Sequence, residues 1–380
     1  MTEGAEKAVT EGAGRGERSI PAIRMTDAEA GAAVFAGSDS RAYNYYSPKG
    51  RRASLYEDVT VDVQPDPDRY LTQGWIYAFA DGTEGYSPEW TRMKSSDWHA
   101  FRDPNEEWER TIYINNANAE RQIQQNIENA KIVNAFATWN GDWVDIVAKH
   151  VSAWMHPEHG LGMHVFLAAQ RDAMSNMINN AIAVNSAHKL RIAQDIALYN
   201  MEVDEQIPEF DGSVHKEIWL NDPCWQGVRE NVERLFALRD WAEALFATNV
   251  IFEPLVGELI RSQFVMQFAA PHGDFVTPTV FGVAESDYER DLRYTKELFR
   301  LLVEDDQHGE ENKRVAQEWL AQWVPYSVSA ARQIQPLWSR PPVKAVRFED
   351  AFDRVRSRFE TILSDLQLEL PQEVRREVNL

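Results

Sequence analysis

The chain has 380 residues, 44% of them hydrophobic, enough to build a sizeable core and to exclude a disordered or fibrous protein. Thirty-nine basic against sixty acidic residues leave a net charge of −21, which repels nucleic-acid phosphates and anionic lipid headgroups, and no basic patch of useful size opposes that field. The single cysteine, Cys224, excludes an internal disulfide and a thiolate metal cluster, reads as a small buried hydrophobe, and fits a reducing, cytoplasmic setting.

Residues 1–40 are rich in Gly, Ala, Glu and Ser with little periodicity, and read as a flexible N-terminal segment. Their start lacks the continuous apolar core of a secretory signal, and no run of 18 apolar residues follows, so no membrane span is expected. Residues 41–117 form an aromatic, turn-rich arm with "YNYYSPKGRR", "DVQPDPDRY" and "FADGTEGYSPEW". Trp75, Trp90, Trp98 and Trp108 are its candidate anchors. Two uses of such a segment stay open: laid across a partner protein, or wrapped around its own bundle.

Beyond Asn118 the pattern turns helical, and residues 118–380 read as one helical domain. Ile123, Ile127, Ala130, Val133 and Ala137 mark one buried face of a helix that Pro157 is expected to end. A second, proline-free run over 161–203 carries the stripe Met174, Met177, Ala181, Val184, His188, Ile192, Ile196 and Tyr199. Residues 222–270 continue with a kink expected at Pro254, followed by helices at about 277–304, 309–333 and 346–368. Strand-like alternation is nearly absent, so the fold class is all-α, a helical bundle in which 121–155 with 161–203 and 222–270 with 277–304 look like two copies of one unit.

Bundles of this type commonly hold two metal ions with carboxylates and two Glu-x-x-His pairs, because positions three apart share a helix face. No Glu-x-x-His occurs in the chain. Asp305-x-x-His308 lies in a polar loop, and His150, His156, His159 and His164 are interrupted by Pro157 and Gly160 with only Glu158 nearby, so capping and hydrogen bonding suit them better than zinc. The phosphate-cradling loop, the Gly-x-Ser-x-Gly elbow and the dinucleotide fingerprint are all missing. Glu253 in "NVIFEPL" could act as an acid or base, with hydrogen bonding inside the bundle as its default use.

The runs "SSDWHAFRDPNEEWERTIYINNANAERQ", "AHKLRIAQDIALY", "NVIFEPL" and "TPTVFGVAESDYERD" together resemble the hydroxylase β (small) subunit of soluble multicomponent di-iron monooxygenases, most like the propane 2-monooxygenase branch. The resemblance implies a ferritin-like bundle that is a non-catalytic paralogue of an iron-bearing α (large) subunit. It also implies pairing into αβ units that dimerise, with a coupling protein and a reductase carrying NADH, FAD and iron–sulfur groups acting through α. The implied reaction is NADH- and O2-dependent hydroxylation of a small hydrocarbon, with propane to 2-propanol the best match. Against the α pattern, Lys189 and Ile192 stand where one Glu-x-x-His would be, and Tyr288 and Asp291 where the second would be. The two other carboxylate slots fall near His159 and Pro254, with Glu253 one step off. No catalytic residue, metal ligand or cofactor is therefore expected in this chain, and Lys189 is expected to pair with a carboxylate or reach solvent. The competing reading is a stand-alone ferritin-like metal oxidase or radical protein with His159, Glu253, Asp291 and His308 as atypical ligands.

Overall fold

The computed structural model describes residues 53–61 and 88–378. Trp75, residues 1–52 and about half of the expected arm (41–52 and 62–87) lie outside the described residues. The chain divides into two compact units, 1–73 and 74–380. Of the first, residues 53–61 contain helix α1 (Leu55–Thr60), started by a capping box in which Ser54 Oγ accepts from Glu57 N and the Glu57 carboxylate accepts from Ser54 N.

The second unit is helical throughout its described residues. Helix α2 (Glu109–Ile132) begins nine residues before the periodic pattern at Asn118 becomes visible, with Trp108 N donating to Thr111 Oγ1. Helix α3 spans 141–172. Asn140 Oδ1 caps its start, accepting from Asp142 N and Trp143 N, and wide π turns occupy Val147–Val151 and Leu161–Phe166. Pro157 does not end this helix. It sits inside the Met155–Gly160 turn, and the irregular turns before it absorb the missing N–H.

The break comes instead at 173–175, where Ser175 Oγ caps α4 (Asn176–Gln206). The single helix expected over 161–203 is thus two, and Met174 falls in the break, outside the buried stripe. The rest of that stripe, from Met177 through Ile192 to Tyr199, is buried in α4.

After α5 (His215–Asn221) and α6 (Gln226–Phe236), α7 runs over 241–268, capped by Asp240. It is mostly π-helical, at Phe246–Gly257 and Leu259–Val265, and carries Pro254 without terminating. A turn through Gly273, at φ 84°, leads to α8 (Thr277–Val303), where Asp274 Oδ1 accepts from Val276 N and Thr277 N. A Cβ at Gly273 would lie 2.5 Å from the Thr138 carbonyl oxygen, so both the conformation and the space call for glycine.

Helices α3, α4, α7 and α8 pack together as a four-helix core. The first expected unit, 121–155 with 161–203, is broken instead at 133–140 and 173–175, and in both α3–α4 and α7–α8 the first helix carries the wide turns. Helix α2 lies against α4 and α8, α9 (Gly309–Gln333) and α10 (Phe348–Asp365) cover α7, and α11 (Gln372–Val378) packs on α9.

Candidate functional site

At the centre of the bundle three helices bring together a fully buried group of charges, with Glu285 of α8 at its edge. Glu158 enters from α3, Lys189 from α4, Glu253 and Arg261 from α7, and all have 1% or less of their surface exposed. Lys189 Nζ donates to Glu253 Oε1 at 2.5 Å and lies 3.0 Å from Glu158 Oε2. The Arg261 guanidinium donates to Glu253 Oε2 (2.7 Å) and Glu158 Oε1 (3.2 Å), and its Nε donates to Glu285 of α8 (2.8 Å). Trp154 Nε1 donates to Glu158 Oε1 at 2.7 Å. The Arg261 guanidinium also lies over the rings of Trp154 (5.8 Å) and Tyr288 (5.5 Å). Each carboxylate therefore meets both cations.

The electrostatics follow from that arrangement. Burial opposes charge on Lys189, Glu253 and Arg261, yet the neighbours win. Glu253 sits below the usual carboxylate range because Arg261 and Lys189 outweigh its desolvation, and Lys189 and Arg261 are held above their ordinary values by Glu158, Glu253 and, for Arg261, Glu285. Gly257 lies one turn from Glu253 in α7. A Cβ there would sit 2.3 Å from Glu253 Oε2 and 2.8 Å from an Arg261 nitrogen, so its bare backbone makes room for the pair.

A second, polar layer flanks the first. Asp291 accepts from Asn185 Nδ2 and is hydrogen-bonded to His188 Nδ1, both at 2.8 Å. Asn249 Nδ2 donates to Asn185 Oδ1 and Thr295 Oγ1, and Tyr294 OH donates to Asn185 Oδ1. Burial pushes the Asp291 carboxyl well up and the His188 imidazole down to about 3, so both favour their neutral forms. His188 Nε2 stays without a hydrogen bond, 3.8 Å from Glu107 and 3.9 Å from Asp287. Tyr288 OH donates to the Asn249 carbonyl (3.1 Å), and Ile192 is buried apolar filling.

The positions expected to replace ligands divide accordingly. Lys189, Ile192, Tyr288 and Asp291 all point inward. His159 and Pro254 need correction. His159 is exposed, and the inward carboxylates are one residue earlier in each case, Glu158 and Glu253. Two carboxylates thus face the centre, each bound to two cations. Sequence reasoning overlooked Glu158, Arg261 and Glu285. The available signal was a lone arginine inside the apolar run "PLVGELIRSQFV", since an unpaired guanidinium is not buried.

Asp305 and His308 do not converge on this centre. Asp305 Oδ1 accepts from Gln307 N and His308 N in the loop before α9, and His308 is half-buried there. Glu253, Asp291, exposed His159 and His308 form no common site. Among the described residues one trio could offer metal donors, His150, Asp222 and Cys224, within 4.8 Å of one another. The Arg340 guanidinium already occupies it, contacting His150 Nε2 and lying 3.3 Å from Asp222, while burial and Asp222 push the Cys224 thiol well up, in its protonated form.

Residues 88–108 of the arm are strapped to the bundle. Arg92 N donates to Asp240, Lys94 N to Asn312, Ser96 N to Asp305 and Asn105 Nδ2 to the Arg290 carbonyl. Trp98 packs edge-on against Trp241 at 5.7 Å, Arg171 lies 5.4 Å from the Trp90 ring, and Trp108 caps α2. All three tryptophans remain half-buried.

The Methane/Phenol/Alkene Hydroxylase family matches residues 75–306. The propane 2-monooxygenase hydroxylase component small subunit of Rhodococcus jostii is 53% identical, over 94% of this chain and 97% of its own. The corresponding small subunit of Mycolicibacterium smegmatis is 52% identical, over 95% and 98%. A chain of phenol hydroxylase from Pseudomonas sp. OX1 superposes with a TM-score of 0.71 at 18% identity, over 84% and 92%, and this shows a shared fold.

Proposed function

The chain belongs to the methane, phenol and alkene hydroxylase family, and from that premise we propose that it carries out its role without a metal of its own. It is a small subunit of the hydroxylase component of a soluble di-iron monooxygenase. The observation that supports a metal-free centre is the double bridging of Glu158 and Glu253 by Lys189 and Arg261. A pair of irons needs those carboxylate oxygens and imidazole ligands beside them. Here ammonium and guanidinium groups take the oxygens, and Ile192 and Asp291, in the two histidine slots, offer no imidazole. The residues therefore do not fit a di-iron cluster. Two nitrogen cations supply the positive charge that two buried carboxylates require.

On this reading the chain shapes and supports a large, iron-bearing subunit, in a dimer of such pairs served by a coupling protein and an NADH-oxidising reductase in the cytoplasm. The assembled system hydroxylates a small hydrocarbon with O2, and the relatives' names make propane, oxidised at its central carbon, the first substrate to try. The half-exposed edges of Trp90, Trp98 and Trp108 contribute to subunit contact.

Iron measured on the purified complex tests the reading, with Glu158→Gln and Glu253→Gln in this chain. Both variants should keep the wild-type iron content and spectrum. Loss of iron with either change sinks the metal-free assignment.

A further inference from the structure

Helix α2 is unusual within this chain. It contains three acidic and three basic residues and so carries no net charge in a protein of net charge −21, and eight of its 24 residues are Asn or Gln. Its two ends are apolar and exposed. Tyr113 and Ile114 lie at one, and Ile132 (80% exposed) and Val133 at the other.

The neighbouring surface continues this character. Lys131 Nζ lies 2.5 Å from Glu202 Oε2, which fixes the end of α2 beside α4. Residues 195, 198 and 202 share one stripe of α4, so exposed Leu198 borders α2, and Met201 (65% exposed) stands next to the fastening. On the other flank Asn126 Nδ2 donates to the Phe275 carbonyl, which brings the 66% exposed Phe275 to the same helix. Seven of the thirteen large apolar residues exposed among the described residues thus sit on or beside α2. Scattered single apolar residues need no explanation, but a concentration along one uncharged helix marks an interaction surface.

Resting on the subunit role above, we infer that the outer face of α2, with the Leu198–Met201 edge of α4, is the principal docking surface for the large hydroxylase subunit. A 24-residue helix about 36 Å long and about 10 Å across, with one further turn of α4, gives roughly 400 Å², about half of the ~800 Å² per partner of a stable interface, and the strap leading into α2 extends it. Charge disfavours a second copy as the occupant, because two chains of −21 repel. Trp108 at the start of α2 makes the surface continuous with the strap.

The test uses the full complex. Co-purification of the wild-type chain with the large subunit comes first, and its failure would remove the subunit reading itself. In the intact complex, p-benzoylphenylalanine is then placed at Tyr113, at Met201 and, for comparison, at Met163 on α3. Irradiation should cross-link positions 113 and 201 to the large subunit. Cross-linking of both to a second copy of this chain, or from Met163 but neither of the others, overturns the inference while leaving the subunit role standing. As a second measurement, Ile132→Asp with Met201→Asp should weaken association at least tenfold, whereas Met163→Asp with Leu167→Asp should leave it within twofold. The reverse order also overturns it.

Discussion

Replacing Lys189 with Met removes one of the two cations that meet both Glu158 and Glu253, and leaves Arg261 alone against them. Both carboxylates are fully buried, so water cannot substitute for the lost ammonium. Removing one partner of a buried ion pair costs about 3–5 kcal/mol. An unfolding entropy of about 2.1 cal/mol/K per residue, over the roughly 290 described residues of the bundle unit, converts this into a Tm lowered by about 5–8 °C. Thermal unfolding of the purified complex, followed by circular dichroism, reads that change. Adding Glu253→Gln to Lys189→Met should restore at least about half of it, because the uncompensated charge is then gone.

The cost should also depend on pH in a definite direction. In the wild type, Lys189 is held above its ordinary value, so its contribution is complete below about pH 10 and is lost as pH rises through its folded value. Glu253 is held below its ordinary value, so its contribution is complete above about pH 5 and lost as pH falls through its folded value. Without the ammonium, Glu253 moves upward, and acid relieves the variant by protonating it. The gap between variant and wild type should therefore narrow from pH 8 to pH 5. A Lys189→Met cost under about 1 kcal/mol, or a double variant worse than either single one, would refute the neutralisation argument.

Glu258 on α7 is pushed up to about 8, first by burial and then by Glu285, despite Arg358 Nε at 2.5 Å. The folded chain thus holds a proton that the unfolded chain releases, and stability should fall as pH rises from about 5 to 8. Glu258→Gln should flatten that slope in urea midpoints measured across the range. Gly257→Ala forces a methyl group against Glu253 and Arg261 and should cost about 1–3 kcal/mol in the same urea titration. Trp98→Ala removes the edge contact with Trp241 and should speed amide exchange across 92–108 while leaving the four-helix core protected.

Much of this was legible because burial writes itself into helical spacing. The Met177-to-Tyr199 stripe and the inward positions of Lys189, Ile192, Tyr288 and Asp291 follow from 3.6-residue turns. The misses fall where turns depart from that period. Counting at a fixed offset placed two slots at His159 and Pro254, each in or beside a widened turn, and each inward carboxylate lies one residue earlier. Pro157 misled for the same reason, since the irregular turns around it let α3 continue. The partnership of Glu158 with Arg261 spans 103 residues and two helices, and only tertiary packing brings them within 3.2 Å.

The cations at the centre of this bundle are part of the polypeptide. They cannot dissociate, exchange with a competing ion or wait for a delivery system, so the metal-free reading proposed above makes maturation of this subunit independent of iron supply. On that reading, in a cell starved of iron or treated with a chelator during biosynthesis, this chain reaches its final shape on schedule, ahead of a partner whose own centre is still to be loaded.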